Sequence, residues 1–444
     1  MKQEIDMLHG PLFGKTIAFA IPLAVTGVLQ QLFNAFDTAV MGQFVGKEAM
    51  AAVGSNAPVI GLVIAFFIGI SLGANVRIAQ FVGAKRADRI PSAVATAIVL
   101  SLSAGLAMTL VGELVSGPLL HLLAVPEELL SLSLLYLRIF IIGFPTILLY
   151  NFLAATFRSQ GDTRTPLLAL IASGIVKMAL TILFVIVLDM SVAGVALSTL
   201  LASLVSSGIL LVHILCTSLP IRLSFHSFHP ELSIFKDILA IGVPAGLQGA
   251  VFSLSNIIIQ SAINSLGTDI MAASAIGFNL DILPYFVVNA FGQACTTFTG
   301  QNYGARQYDR CRKILKVTMI QNFLCAYGFI ALILYFARPL TAIFHGDEMV
   351  YAYIHIRLWL VLGAEGLNIL IEQFSGSMRG CGQSLIPALI AIFGICGTRI
   401  LWVLTVFDAH PDFTVLMAVY PVSWAVTALV MVSVFFTIRK QLFP

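Results

Sequence analysis

Residues 80–89 read QFVGAKRADR, and residues 301–310 read QNYGARQYDR. At a shift of 221 they share Gln80/Gln301, Gly83/Gly304, Ala84/Ala305, Asp88/Asp309 and Arg89/Arg310. The same shift lays residues 158–166, RSQGDTRTP, over 379–387, RGCGQSLIP, where Arg158, Gly161 and Pro166 recur as Arg379, Gly382 and Pro387. Eight identities at one shift, all in polar stretches between apolar runs, predict a duplicated chain. Echoes at neighbouring shifts extend the repeat. Pro22 and Asn34 answer to Pro244 and Asn256 at 222, and Gly54-x-Asn56 answers to Gly277-x-Asn279 at 223.

The residues around these connections set the solvent. Of 444 positions, 59% are hydrophobic and 10% charged, with a mean hydropathy of +0.98. A water-exposed domain usually carries about 25% charged residues, so most of this surface must face lipid. Twelve apolar runs are each long enough to cross a hydrocarbon core of about 30 Å as a helix. Their limits are close to residues 14–40, 52–76, 92–114, 130–155, 166–188, 192–216, 236–264, 272–296, 313–336, 350–376, 386–407 and 414–438. The ten-residue polar/apolar alternation of a membrane β-barrel is missing. The first run continues past the length of a signal peptide core without a small-residue cleavage site, so it is expected to stay as a membrane helix.

With both termini placed in the cytoplasm, eighteen Lys and Arg residues fall on cytoplasmic tails and connections. Two, Lys47 and Arg338, fall outside, and four, Arg138, Lys177, Arg357 and Arg399, lie within spans. Lys and Arg are retained on the cytoplasmic side, so both termini are expected there. A shift covering six spans gives both halves the same topology, related by an axis along the membrane normal. The expected fold is therefore all-α and polytopic, two six-helix bundles about a central cavity. The N-lobe is 1–218, a basic cytoplasmic linker 219–235, and the C-lobe 236–444.

Several function classes drop out. The net charge of +3 offers no basic patch for nucleic acid. The six cysteines stand singly, without a CxxC pair or metal-ligand spacing, and read as small apolar fillers. No HExxH, serine-hydrolase elbow or phosphate-binding loop occurs, so neither an enzyme, a metal site nor an intrinsic ATP motor is expected.

Polar residues inside the spans mark the function, because a charge at bilayer depth costs about 2.5–3.5 kcal/mol even on the lenient insertion scale. Gln30, Asn34, Asp37 and Thr38 share one helical face in the first span, at i, i+4, i+7 and i+8. Asp37 is the candidate relay for a proton or cation. Lys177 lies about eleven residues into the fifth span, too deep to snorkel, and a pair with Asp37 would be either a static brace or a switch. In the C-lobe, Arg399 stands 222 residues after Lys177. Glu365, Asn368 and Glu372 line the tenth span, Asn256, Gln260 and Asn264 the seventh, and Asn279 and Asp281 the eighth ahead of Pro284. Arg399 is expected to pair with Glu372 or Asp281. Arg138 and Arg357, one or two turns inside span ends, read as snorkelling interfacial arginines. The candidate coupling residues are thus Asp37, Asn34 and Lys177. The candidate cavity residues are Gln30, Asn151, Thr181, Asn256, Gln260, Asp281, Glu372 and Arg399.

These residues resemble the MATE family of multidrug exporters. The likeness rests on Pro22, on Asn34-Ala-Phe-Asp37-Thr-Ala-Val-Met-Gly42, on the Gln-x-x-Gly-Ala turn in both halves, and on Arg158-x-x-Gly161-Asp162-Thr163-x-Thr165-Pro166. The resemblance implies a secondary antiporter of the bacterial inner membrane that needs no cofactor. It would export amphipathic, typically cationic organic compounds against inward H⁺ or Na⁺, as a functional monomer in contact with membrane lipid. It also implies a coupling role for Asp37. The likeness is closer to the DinF-like branch than to NorM, because the NorM-type acid eight positions after the seventh-span proline is Phe252 here. DinF-like proteins show an Asn with an Asp four residues later where this chain has Lys177 and Thr181. A flippase for lipid-linked oligosaccharide or peptidoglycan precursors is the alternative, since Lys177 and Arg399 would suit a pyrophosphate head group.

Overall fold

The computed structural model describes residues 4–123, 125–223, 228–342 and 348–443; residues 224–227 of the expected linker lie outside these. Backbone N–H and C=O groups in lipid must be satisfied within the segment, which dictates helices. The described residues form twelve spans. They are α1 (Leu12–Val45), α2 (Lys47–Gly83), α3 (Arg89–Leu122), α4 (Glu127–Ile142 and Phe144–Ser159), α5 (Arg164–Val187) and α6 (Ser191–Cys216). They continue with α7 (Leu232–Asn264), α8 (Thr268–Gly304), α9 (Tyr308–Tyr335), α10 (Glu348–Gly380), α11 (Leu385–Phe407) and α12 (Phe413–Leu442). The two pieces of α4 meet at Gly143 with a bend of 46°. The all-helical, multi-pass architecture expected from the apolar runs is the one observed.

The chain divides into two compact units along an unexpected line. One comprises Met1–Ile5 with Val25–Gly242, the other Asp6–Ala24 with Val243–Pro444. Counting helices puts all of α1 in 1–218 and all of α7 in 236–444; packing exchanges their leading segments. The change of unit in α1 comes at Ala24/Val25, two residues past Pro22, and in α7 at Gly242/Val243, beside Pro244. The contacts explain the assignment. The leading segment of α7 lies against α2 so closely that a Cβ on Gly73 would fall 2.2 Å from the carbonyl oxygen of Ile238. Asp237 pairs there with Arg77 at 2.7 Å, and Glu231 with Arg89. The leading segment of α1 lies against α8 and α9, with Phe19 edge-on to Phe298 at 5.5 Å and Thr16 donating to Gln321 at 2.6 Å.

The repeat read from the connections is present in the backbone itself. Left-handed residues recur at a shift of 221: Gly46 and Gly267 between α1/α2 and α7/α8, Lys85 and Arg306 after α2 and α8, Gly161 and Gly382 after α4 and α10. The Gly-Ala pair was expected to make the turn after α2 and α8. The helices in fact run through Gly83 and Gly304, and the positive φ falls two residues later, on Lys85 (56°) and Arg306 (58°). There the amides of Ala84 and Ala305 close on the carbonyls of Gln80 and Gln301, and those of Lys85 and Arg306 on Val82 and Tyr303.

One feature has no sequence signature. The helical hydrogen bonding slips by one residue into π-helix at Met41–Val45, Ile182–Val187, Ile392–Gly397 and Val403–Phe407. Such slips collect at functional sites. These follow Asp37 in α1 and Lys177 in α5, and flank Arg399 in α11.

Candidate functional site

In the N-terminal unit, Asp37 lies eight residues before the end of α1 and Lys177 ten before the end of α5 (45 − 37 and 187 − 177). At 1.5 Å per residue that puts them at similar depths, about 12 and 15 Å from those ends. Both are buried, and Lys177 Nζ stands 2.7 Å from Asp37 Oδ2. The close approach of the two helices depends on Gly174, one turn before Lys177. A Cβ there would fall 1.9 Å from Phe33 Cζ. The sequence expectation of this pair is met, and its surroundings sharpen it. Asp37 Oδ1 is buried and accepts no hydrogen bond. Thr181, one turn beyond Lys177, is buried and pairs its hydroxyl with Ser198 at 2.7 Å.

The rest of the stripe on α1 separates from the pair. Gln30, Asn34 and Thr38 are on the exposed side of the helix while Asp37 turns inward, and Thr38 donates to the Asn34 carbonyl at 3.0 Å. Asn151 donates to the Ile147 carbonyl of its own helix at 2.8 Å and does not join the pair.

In the C-terminal unit the expected pairing is overturned. Arg399 pairs with neither Glu372 nor Asp281. Asp281 Oδ2 accepts instead from Arg357 Nε at 2.8 Å, and Arg357 Nη1 donates to Ser274 at 2.9 Å. Glu372 lies 3.8 Å from Arg379, whose Nη2 donates to Gln248 at 2.8 Å. Arg357 is therefore not a snorkelling residue. It is buried, and a Cβ on Gly277 would come 2.7 Å from its Cδ. Arg138, in contrast, is half exposed and pairs with Glu113 at 3.5 Å, as an interfacial arginine would. Gln260 is exposed and donates to Asn264 at 2.9 Å, one turn on. Glu365 is buried and accepts from Asn368 at 2.8 Å.

Arg399 itself has 0% exposure and, among the described residues, no carboxylate within ion-pair distance. Its Nη1 donates to Asn256 Oδ1 at 2.8 Å and to Ser255 at 3.3 Å, and its Nε reaches Ser423 at 3.5 Å. The guanidinium lies over the rings of Tyr420 (4.5 Å) and Phe252 (5.1 Å), the first shared with Arg357 at 5.9 Å. Nη2 is buried with no acceptor. Each half therefore keeps one cation in the equivalent helix, with a carboxylate in the first half and neutral oxygens and aromatic faces in the second.

Sequence reasoning missed Arg357, Ser255, Ser274, Tyr420 and Ser423. The available signal for Arg357 was depth. Counted from helix starts it lies nine residues into α10 and Asp281 thirteen into α8 (357 − 348 and 281 − 268), both well inside the apolar core. Among the described residues, no group of three or more His, Cys, Asp or Glu side chains is arranged to hold a metal ion.

Comparison with known proteins follows the same repeat. The MatE family signature matches residues 22–183 and again 244–404, each segment beginning at one of the two prolines. The chain is 28% identical over 394 residues to "Probable multidrug resistance protein YoeA" of Bacillus subtilis, covering 86% of this chain and 84% of that one. It is 26% identical over 404 residues to "Probable multidrug resistance protein NorM" of Thermotoga maritima, covering 90% and 86%. The crystal structure of MATE in complex with MaL6 superposes with a TM-score of 0.90 at 22% identity, covering 98% of this chain and 97% of the other.

Proposed function

This chain belongs to the MATE family, and we propose that it is a secondary antiporter exporting amphipathic organic compounds by alternating access. The observation that carries the reading is the pair of matched segments, which span both six-helix halves and include Asp37 and Lys177 in the first. Relatives that match over most of both chains carry multidrug resistance names, which supports efflux over precursor flipping. The basic residues on the even-numbered connections support an inner-membrane orientation with both termini in the cytoplasm. Phe252, eight positions after Pro244, supports the DinF-like assignment.

The coupling centre is Asp37 with Lys177, and the coupling ion is H⁺. A sodium ion would have to share the carboxylate with an ammonium 2.7 Å from Oδ2, at a Coulomb cost that a low-dielectric interior magnifies. A proton meets no such competitor at Oδ1, where no hydrogen bond stands in its way. Protonation would cancel the carboxylate charge and leave Lys177 as an uncompensated buried cation. That state is relieved only by water or by rearrangement. The proton thus biases one conformation by its differential affinity, and substrate biases the other.

Proteoliposomes under separately imposed pH and sodium gradients test this. Wild type is expected to accumulate substrate with ΔpH alone. Asp37→Asn should reach the membrane and lose gradient-driven export. Full export by that variant would remove Asp37 from the mechanism, and export driven only by sodium would overturn the proton assignment.

A further inference from the structure

In the second half a fully buried guanidinium has lost the counter-charge that its equivalent keeps in the first. Asn34 and Asn256 correspond at a shift of 222, as do Lys177 and Arg399. The same shift carries Asp37 onto Ile259, which is buried apolar. The only carboxylate that could have served from α8, Asp281, is already held by Arg357 at 2.8 Å. Arg399 is left with an amide oxygen, two hydroxyls, two ring faces and an Nη2 that donates to nothing.

From this geometry we infer that the Arg399 pocket of the C-terminal unit is a substrate subsite for an oxyanion, the carboxylate or phosphate group of an amphipathic export substrate. The chemistry of the pocket is specific. A guanidinium presents two parallel N–H groups to a planar carboxylate or phosphate edge, and charge-assisted bonds of that kind are about twice as strong as neutral ones. Here Nη1 spends its bond on the neutral Asn256 oxygen, so an incoming oxyanion that displaced the amide would engage Nη1 and Nη2 together. The layer in the way is one side chain thick, because Phe252, Asn256 and Tyr420 are each only half-buried. The same two rings offer an apolar wall for the body of an aromatic ligand. The turn bearing Arg399, Thr398–Trp402, lies between two π-helical segments, where the backbone ladder is already out of register and can yield.

This inference rests on the export reading, and it departs from the cationic substrates that the family resemblance implies. Its test needs no gradient, so the two can fail separately. The full chain, purified in detergent, is titrated calorimetrically with three probes of one shape: 1-naphthoate, 1-naphthyl phosphate and 1-naphthylmethylammonium. Chloride and inorganic phosphate serve as the arm for a simple counter-ion site. The expected result is that the two organic anions bind and the ammonium does not, with Arg399→Gln weakening the anions at least tenfold. Asn256→Asp supplies an internal carboxylate at the Nη1 bond. It should weaken organic-anion binding at least tenfold while the melting temperature holds or rises, which separates ligand competition from misfolding. Unchanged anion affinity in Asn256→Asp would overturn the subsite, as would preference for the ammonium probe. Chloride or free phosphate binding as tightly as naphthoate would reduce it to a counter-ion site and overturn the substrate class.

Discussion

The two halves of this transporter solve the same problem, a cation deep in an apolar helix, by different means. In the first, Lys177 has a carboxylate at 2.7 Å, so charge is cancelled by charge. In the second, Arg399 has Asn256, two serines and the faces of Phe252 and Tyr420, so charge is spread over dipoles and quadrupoles. The guanidinium suits the second solution, since it is planar, delocalised and weakly hydrated where an ammonium is a compact, strongly hydrated point charge. The scaffold was copied and the electrostatics were not. Neither member of the additional pair, Asp281 or Arg357, has a charged counterpart 221–223 residues earlier.

The sharpest way to break this comparison is to remove one partner from each centre. Lys177→Met strands the Asp37 carboxylate, and losing one member of a buried pair typically costs about 3–5 kcal/mol. Arg399→Met strands no charge and should cost clearly less, about 1–2 kcal/mol for the freed amide and hydroxyls. Thermal melts in detergent decide it, and equal losses would mean that the pair in the first half is not a charge-cancelling unit. Asp37→Asn combined with Lys177→Met should recover much of the single-variant loss.

A smaller effect tests what holds the first centre together. Gly174→Ala forces its methyl into Phe33 and should cost about 1–3 kcal/mol, the range for overpacking a well-filled site. Phe33→Leu in the same chain should restore most of it. Non-additivity in that double-mutant cycle is the readout.

Much of this was legible in residue order. The polar connections revealed the repeat, and the apolar runs the spans, because lipid leaves a chain so few backbone choices. Asp37 stood out by its place in a polar stripe and Lys177 by its depth, and they meet. What failed was partner choice. Arg357 read as interfacial because a helix end was placed at residue 350 and its partner sits on another span, at a height that linear order does not encode. Asp281 then looked available to Arg399. The π-helical segments were invisible for a simpler reason: an apolar run reads alike whether its hydrogen bonds skip four residues or five. Lys85 and Arg306 were overlooked because glycines two positions earlier offered the cheaper left-handed turn.

Two further differences between the halves predict still smaller changes. Asp162 Oδ1 accepts the backbone N–H groups of Arg164 and Thr165 at the start of α5, each at 3.0 Å. Its counterpart 221 residues on is Gln383. Asp162→Ala should cost about 1 kcal/mol, and Gln383→Asp should return part of that to the second half. Melting shifts of opposite sign in the two variants would support the repeat at the level of single hydrogen bonds.

The smallest effect is at Asp6, outside the spans. Burial alone would raise its pKa, but the amides of Leu8 and His9 and the charges of Lys15 and His9 outweigh it and hold the carboxyl below its ordinary 3.8. A carboxyl depressed on folding stabilises above its unfolded pKa, and the benefit fades as pH falls through the lower folded value. Hydrogen exchange at Leu8 and His9 should therefore stay slow at neutral pH and lose protection only below about pH 4. Asp6→Asn should lack that acid-dependent step.

The exchanged leading segments of α1 and α7 bear on how the chain is made. Residues 6–24 leave the ribosome first, yet the unit that receives them begins at Val243. At about 5–20 residues per second, that leaves the opening turns of α1 without their native neighbours for roughly ten to forty seconds. Thr16, which will bond Gln321, and Phe19, which will meet Phe298, spend that interval facing lipid or the insertion machinery. The first unit likewise stays open until the start of α7 arrives to close on α2. Biogenesis is thus a two-way handover across the middle of the sequence, in which neither half completes before the other has begun.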